Sequence, residues 1–118
     1  MKTTKFLMTL ILAGLFAVTI NSCKKCSGED PRARITNNGT QKASVQIKTS
    51  GGNTVNINNV DQGTSSPYNT YAAGQTTFTI KVNNIDYVKT FDMSKCYEYD
   101  IAIDVNNNIT STPNDRNK

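Results

Sequence analysis

Residues Thr76–Phe91 read TTFTIKVNNIDYVKTF, and the two asparagines at the centre decide how the chain folds. Asparagine tolerates the positive φ that a two-residue hairpin turn requires. With Asn83-Asn84 as that turn, position 82 faces 85 and position 80 faces 87. Phe78, Ile80 and Val82 then share a face with Ile85, Tyr87 and Phe91. Two runs whose apolar residues meet on one side of a hairpin are strands of a half-buried sheet.

The flanking sequence repeats the pattern. A three-residue loop at Ser50-Gly51-Gly52 places Ile47 opposite Val55 and Val45 opposite Ile57, whereas a two-residue Gly51-Gly52 turn would set Ile47 against Asn56. Asn106-Asn107-Asn108 likewise sets Val105 against Ile109. Tyr97, Tyr99, Ile101, Ile103 and Val105 alternate with Glu98, Asp100 and Asp104, a core side against a water side. Strands are expected at Arg32 to Asn37, Ala43 to Thr49, Asn53 to Asn58, Tyr68 to Tyr71, Thr76 to Val82, Ile85 to Phe91, Tyr97 to Val105 and Ile109 to Thr112. Nothing beyond Pro31 has helical period. The expected fold is all-β, a single small antiparallel β-sandwich over residues 32–112, with a frayed tail at 113–118.

The N-terminus has a different character. Lys2 and Lys5 precede a run of 15 residues, Phe6 to Ile20, that ends in Ile20-Asn21-Ser22-Cys23. This is a secretory signal layout over residues 1–22, and the run is short of the ~20 residues a spanning helix needs. The junction resembles the lipobox of bacterial lipoproteins, with an apolar residue and then a small one before a cysteine; Asn21 departs from the usual pattern. The resemblance implies cleavage before Cys23 and attachment of diacylglycerol and fatty acyl chains, palmitate among them, to that residue. It also implies a bacterial outer-membrane location, periplasmic or surface-exposed, because Lys24 and not Asp follows the cysteine. Several acyl chains at ~0.8 kcal/mol per buried methylene hold a protein on its membrane. Residues 23–31 read as a polar tether carrying the lipid.

With Cys23 alkylated, Cys26 and Cys96 remain as an even pair in an oxidising compartment. Either they form a disulfide, closing a long loop, or they stay as two free thiols. A redox role is not expected, since no Cys-x-x-Cys survives acylation.

Asn59 to Phe91 is similar to a segment of small exported sandwich modules, the PEGA-type and transthyretin-like domains. The matching residues are Gly63, Thr64, Pro67, Tyr68, Ala73, Gly74 and the Thr-rich run Thr76 to Val82. The likeness implies an immunoglobulin-like or transthyretin-like sandwich. It implies no activity, because such folds host many.

Composition removes several function classes. Without Lys2 and Lys5 the chain carries 13 − 2 = 11 basic residues against 9 acidic ones. Lys42, Lys48, Lys81, Lys89 and Lys95 are scattered singly, so nucleic acid is not an expected partner. The chain has no histidine and no tryptophan, which excludes an imidazole base, His-ligated zinc and a Ser-His pair. A body of at most 96 residues, Cys23 to Lys118, buries only about two-thirds of its unfolded surface and leaves little room for a deep cleft.

Three constellations remain. Glu98, Asp100 and Asp104, with Asp86 or Asp92, offer the oxygen ligands calcium takes, but without a binding-loop spacing they read as a solvated face, and no metal or cofactor is expected. Tyr68, Asn69 and Tyr71 beside the Ser65-Ser66-Pro67 turn read either as a sugar-stacking ligand site or as edge-strand packing. Asn56, Asn58 and Asn59 belong to a polar surface that suits protein or glycan partners and equally serves solubility. Asn38-Gly39-Thr40 and Asn108-Ile109-Thr110 match a glycosylation acceptor that has little use in a bacterium. The sequence as a whole reads as a non-enzymatic, membrane-anchored envelope lipoprotein, an interaction or accessory module. The alternatives are an immunity or inhibitor lipoprotein, a surface glycan-binding accessory protein, or a minor hydrolase using Asp and Tyr.

Overall fold

The computed structural model describes residues 26–117, so the leader and Cys23 lie outside the described residues. Eight strands follow in order: β1 (Arg32–Asn37), β2 (Ala43–Lys48), β3 (Thr54–Val60), β4 (Asn69–Thr70), β5 (Gly74–Val82), β6 (Ile85–Met93), β7 (Tyr97–Ile103) and β8 (Ile109–Asp115). They form two four-stranded sheets, β4-β1-β7-β8 and β3-β2-β5-β6. Alternation sends one side of each strand inward. Ala33, Ile35, Tyr99, Ile101 and Ile103 from one sheet meet Val45, Ile47, Phe78, Ile80 and Met93 from the other in a buried core.

The central hairpin pairs as its sequence dictates, Val82 with Ile85 and Ile80 with Tyr87. Asn83 and Asn84 take φ of 53° and 63°, the left-handed conformations of a primed turn. The Ser50-Gly51-Gly52 loop likewise gives Val45↔Ile57 and Ile47↔Val55. β3 continues past Asn58 to Val60 because a bulge places Asn58 and Asn59 together at the surface, Asn59 at φ 60°. Without the extra residue Val60 would point outward; with it, Val60 is buried against Ala43.

Four expectations need correction. The sandwich is not wholly antiparallel: β1 pairs with β7 in parallel, Arg32 beside Glu98 through Asn37 beside Ile103. Alternating burial is identical for either strand direction, so the pattern carries no sign of it. Val105 does not face Ile109. It is 61% exposed in a five-residue turn in which Asp104 accepts hydrogen bonds from the Asn106 and Asn108 amides, and Ile103 is the true partner of Ile109. Residues 113–118 are not a frayed tail up to Arg116. β8 runs through Pro113 to Asp115 against β7, and the Arg116 amide donates to the Cys96 carbonyl at 2.9 Å. A proline is tolerated there because β8 is an edge strand with one neighbour. The lower part of the tether, finally, is docked: Pro31 is buried and its carbonyl accepts the Tyr71 amide, while the Glu29 carbonyl accepts that of Cys96.

Among the described residues, Asn37 is the one fully buried amide side chain. Its Nδ2 donates to the Gln41 and Val60 carbonyls at 2.7 and 2.9 Å, and its Oδ1 accepts the Gly39 amide at 2.9 Å. Its backbone exchanges hydrogen bonds with Gly63 and Thr64. The end of β1, the loop to β2 and the turn after β3 are thereby pinned at one point.

The other edge strand of note, β6, turns Lys89 toward the same side as Phe91 and Tyr87, opposite Phe78. An inward-facing charge near a sheet edge resists further strand pairing.

Candidate functional site

The chain presents three surfaces with chemistry on them, and each follows from which strand faces look outward.

The first lies on the β4-β1-β7-β8 sheet. Parallel pairing in register brings Arg32 beside Glu98 and Arg34 beside Asp100, residues 66 positions apart in sequence. Arg32 forms an ion pair with Glu98, and Arg34 Nε and Nη2 reach one Asp100 oxygen at 3.2 and 2.9 Å. Thr36 donates to the other Asp100 oxygen at 2.6 Å, and Asn114 donates to Glu98 at 3.2 Å. Both guanidinium groups sit by the Tyr68 ring, 5.5 and 5.1 Å from its centre. The hydrogen bond from Arg32 holds the Glu98 carboxyl below its ordinary range, and the Asp100 hydrogen bond raises Arg34 above its own. Every charge here is answered by a neighbour. The ladder ties β1, β7, β8 and the segment before β4 together.

That arrangement disperses the predicted trio. Tyr68 is 37% exposed, but its ring is engaged by the two arginines. Tyr71 is buried in the core, so it cannot stack on a sugar; its side of the alternatives is packing. Burial pushes its phenol pKa up, and Oη has no hydrogen-bond partner among the described residues. Asn69 is exposed on the two-residue β4.

Four of the five acids weighed for calcium are also engaged elsewhere. Glu98 and Asp100 belong to the ladder, and Asp104 caps its own turn, its carboxyl lowered by the Asn108 and Asn106 amides. Asp86 pairs with Lys81 at 3.8 Å on the opposite sheet. Among the described residues no three acidic or cysteine side chains gather as a metal site.

The second surface is the outer face of β3-β2-β5-β6. Registers align Asn56, Gln46, Thr79 and Val88 in one row and Ser44, Lys81 and Asp86 in the next. All of these except Val88, together with Asn58 from the bulge, line a shallow depression of about 330 Å³. Of these residues the sequence names Asn56 and Asn58 as polar surface, Asp86 as part of a solvated acidic face and Lys81 as one of the scattered lysines. Ser44, Gln46, Thr79 and Lys81 were legible as the polar members of alternating strands but carried nothing to unite them before strand order was known.

The third is the end where β1 and β7 begin. Cys26 and Cys96 lie at disulfide-bonding distance, with Cα atoms 5.5 Å apart, as the bridged alternative expects. Arg116 pairs with Glu29 at 2.9 Å beside them. The opposite end carries residues 38–42, the Asn83-Asn84 turn and residues 104–108.

The residues that carry the likeness to exported sandwich modules occupy consecutive structural roles: Gly63-Thr64 form the turn against Asn37, Pro67-Tyr68 lead into β4, and Ala73-Gly74 open β5. Gly74 has φ 117°, and a Cβ there would meet Ser50 Cβ at 2.9 Å, so only glycine fits. The chain matches no protein-family model, and no curated protein is similar to it.

Proposed function

We propose that this chain is a non-enzymatic lipoprotein of the bacterial outer membrane, anchored through acylated Cys23 and serving as an interaction module held close to the bilayer. The observation that carries the reading is the position of the Cys26–Cys96 pair at the end where the described chain begins. With Glu29 docked on Cys96, six residue steps separate Cys23 from the folded body without a bridge, a reach of about 20 Å when extended; with Cys26 bridged to Cys96 only three steps remain, about 10 Å. The bridge thus converts a loose leash into a short stalk. The same geometry turns the Asn-rich loops away from the membrane and leaves both sheet faces accessible from the side.

The carboxylates support the non-enzymatic reading. A catalytic acid in a cleft has a raised pKa, whereas Glu98 and Asp104 are lowered and Asp100 is held by Arg34 and Thr36.

Membrane fractionation tests the proposal. The wild-type chain is expected in the outer-membrane fraction with a diacylated N-terminal Cys23 by mass spectrometry, and Cys23→Ser is expected to appear in the soluble envelope fraction. Recovery of wild type from the cytosol with its leader uncut overturns it.

An inhibitor or immunity role is the second reading. It is favoured by Ile85 and Val105, 52% and 61% exposed at the end away from the anchor, near the Tyr87 hydroxyl that accepts from Asn107. It needs one tight protein partner burying on the order of 800 Å² of this surface.

A further inference from the structure

We infer that the outer face of the β3-β2-β5-β6 sheet is a binding site for neutral oligosaccharides, with Gln46, Asn56, Asn58 and Thr79 as its hydrogen-bonding residues. The inference starts from a contrast between the two sheet faces. On the β4-β1-β7-β8 face, polar groups consume one another: Arg32 with Glu98, Arg34 and Thr36 with Asp100, and Thr36 with Ser65. On the other face, Ser44, Gln46, Asn56, Asn58 and Thr79 line one depression and their side chains make no hydrogen bond among the described residues. Just outside it, Thr77 and Thr90 do bond each other at 2.9 Å, so neighbouring polar residues on this sheet pair where geometry allows.

The open groups share a chemistry. Each amide side chain offers donors and an acceptor, and each hydroxyl offers both, which is the complement of a sugar hydroxyl. The only charges lining the depression, Lys81 and Asp86, lie 3.8 Å apart and cancel, so an anionic or cationic ligand gains nothing there. Val88 is 60% exposed beside Thr79 and supplies an apolar spot for the C–H face of a pyranose ring. The array is rigid, because adjacent strands sit about 4.8 Å apart and cannot splay. A volume of about 330 Å³ falls at the small end of the ~300–1,000 Å³ range of ligand sites. A protein partner fits less well, since interface hot spots are enriched in tryptophan, tyrosine and arginine, and none lines this face. Hydrogen bonds exchanged with water contribute little each, so the expected Kd is about 1 mM.

This goes beyond the anchored-module reading and does not depend on the lipid, whose failure would show in fractionation and not here. The test uses the full chain in detergent, ¹⁵N-labelled and titrated separately with chitotetraose, maltotetraose and cellotetraose. The expected result is a saturable response to at least one sugar, centred on the amides of Gln46, Asn56, Asn58 and Thr79. Gln46→Ala and Asn56→Ala should each weaken binding about fivefold with unchanged melting temperature, and Tyr68→Ala should leave it intact. Three outcomes overturn the inference: no saturable response to any of the three sugars, a response centred on Tyr68, or unchanged affinity in both alanine variants. A protein partner whose footprint covers this face in a sugar-unresponsive chain overturns it in favour of a protein interface.

Discussion

Replacing Cys26 with alanine should remove much of the stability of this domain while leaving its folded contacts in place. The two cysteines are 70 positions apart. In the chain-entropy treatment, a cross-link closing a loop of that size lowers the entropy of the unfolded chain by 2.1 + 1.5R ln 70 cal/mol/K. At 25 °C this corresponds to about 4.4 kcal/mol. A domain of this size typically has about 5–14 kcal/mol in total. The native side changes little, because Glu29, Pro31 and Arg116 still bond Cys96, Tyr71 and Glu29 without the sulfur link. The effect therefore acts through the unfolded ensemble, and it predicts two observables. In guanidinium titrations Cys26→Ala should lose about 3–5 kcal/mol, equivalent to roughly 20–30 °C in Tm, and its m-value should rise because its unfolded chain is more expanded. Reduced wild type should match the variant. If oxidised wild type, with the bridge verified by mass, exceeds the variant by less than about 1 kcal/mol, the entropic account is refuted.

Two further perturbations address other parts of the molecule. Asn37→Ala strands the buried Val60 carbonyl, removes the partly buried bonds to Gln41 and Gly39 and should cost about 2–3 kcal/mol by chemical denaturation, whereas Asn38→Ala, exposed next door, should change stability by less than about 0.5 kcal/mol. Glu98 has a folded pKa below its ordinary 4.5, so the unfolded chain binds its proton first as pH falls. Its contribution is complete above about pH 4.5 and is lost as pH drops through the folded value. Stability of the wild type should therefore fall on acidification below that point more steeply than that of Glu98→Gln, measured by urea midpoints across the acid range.

The parts of the fold that were legible in the sequence are those fixed by local rules. Asn83-Asn84 and Ser50-Gly51-Gly52 determine register through turn length, and side-chain period then assigns each apolar residue to the core. What escaped depends on partners distant in the chain. The parallel β1-β7 pair, and with it the Arg32–Glu98 and Arg34–Asp100 ladder, follows from strand order, which alternation does not encode. The sequence ends β8 at Thr112, because its apolar signal stops at Ile109 and Pro113 reads as a stop; an edge position removes that objection. Tyr71 sits in a short polar stretch whose composition resembles a surface, yet the Pro31 carbonyl holds its backbone and the side chain enters the core. The open polar depression combines four strands and a bulge, so its members acquire a common meaning only once β3, β2, β5 and β6 lie side by side.

The Lys89 side chain on β6 bears on how such molecules coexist. On the proposed lipid anchor, neighbouring copies would share one plane with their rims aligned, an arrangement that favours lateral zippering far more than free tumbling does. A nine-residue rim such as β6 would be the natural seam. β8 borders the same margin, so the inward-turned Lys89 on one strand and the Pro113 ring on the other both interrupt that rim, and copies crowded side by side would slide past one another instead of pairing.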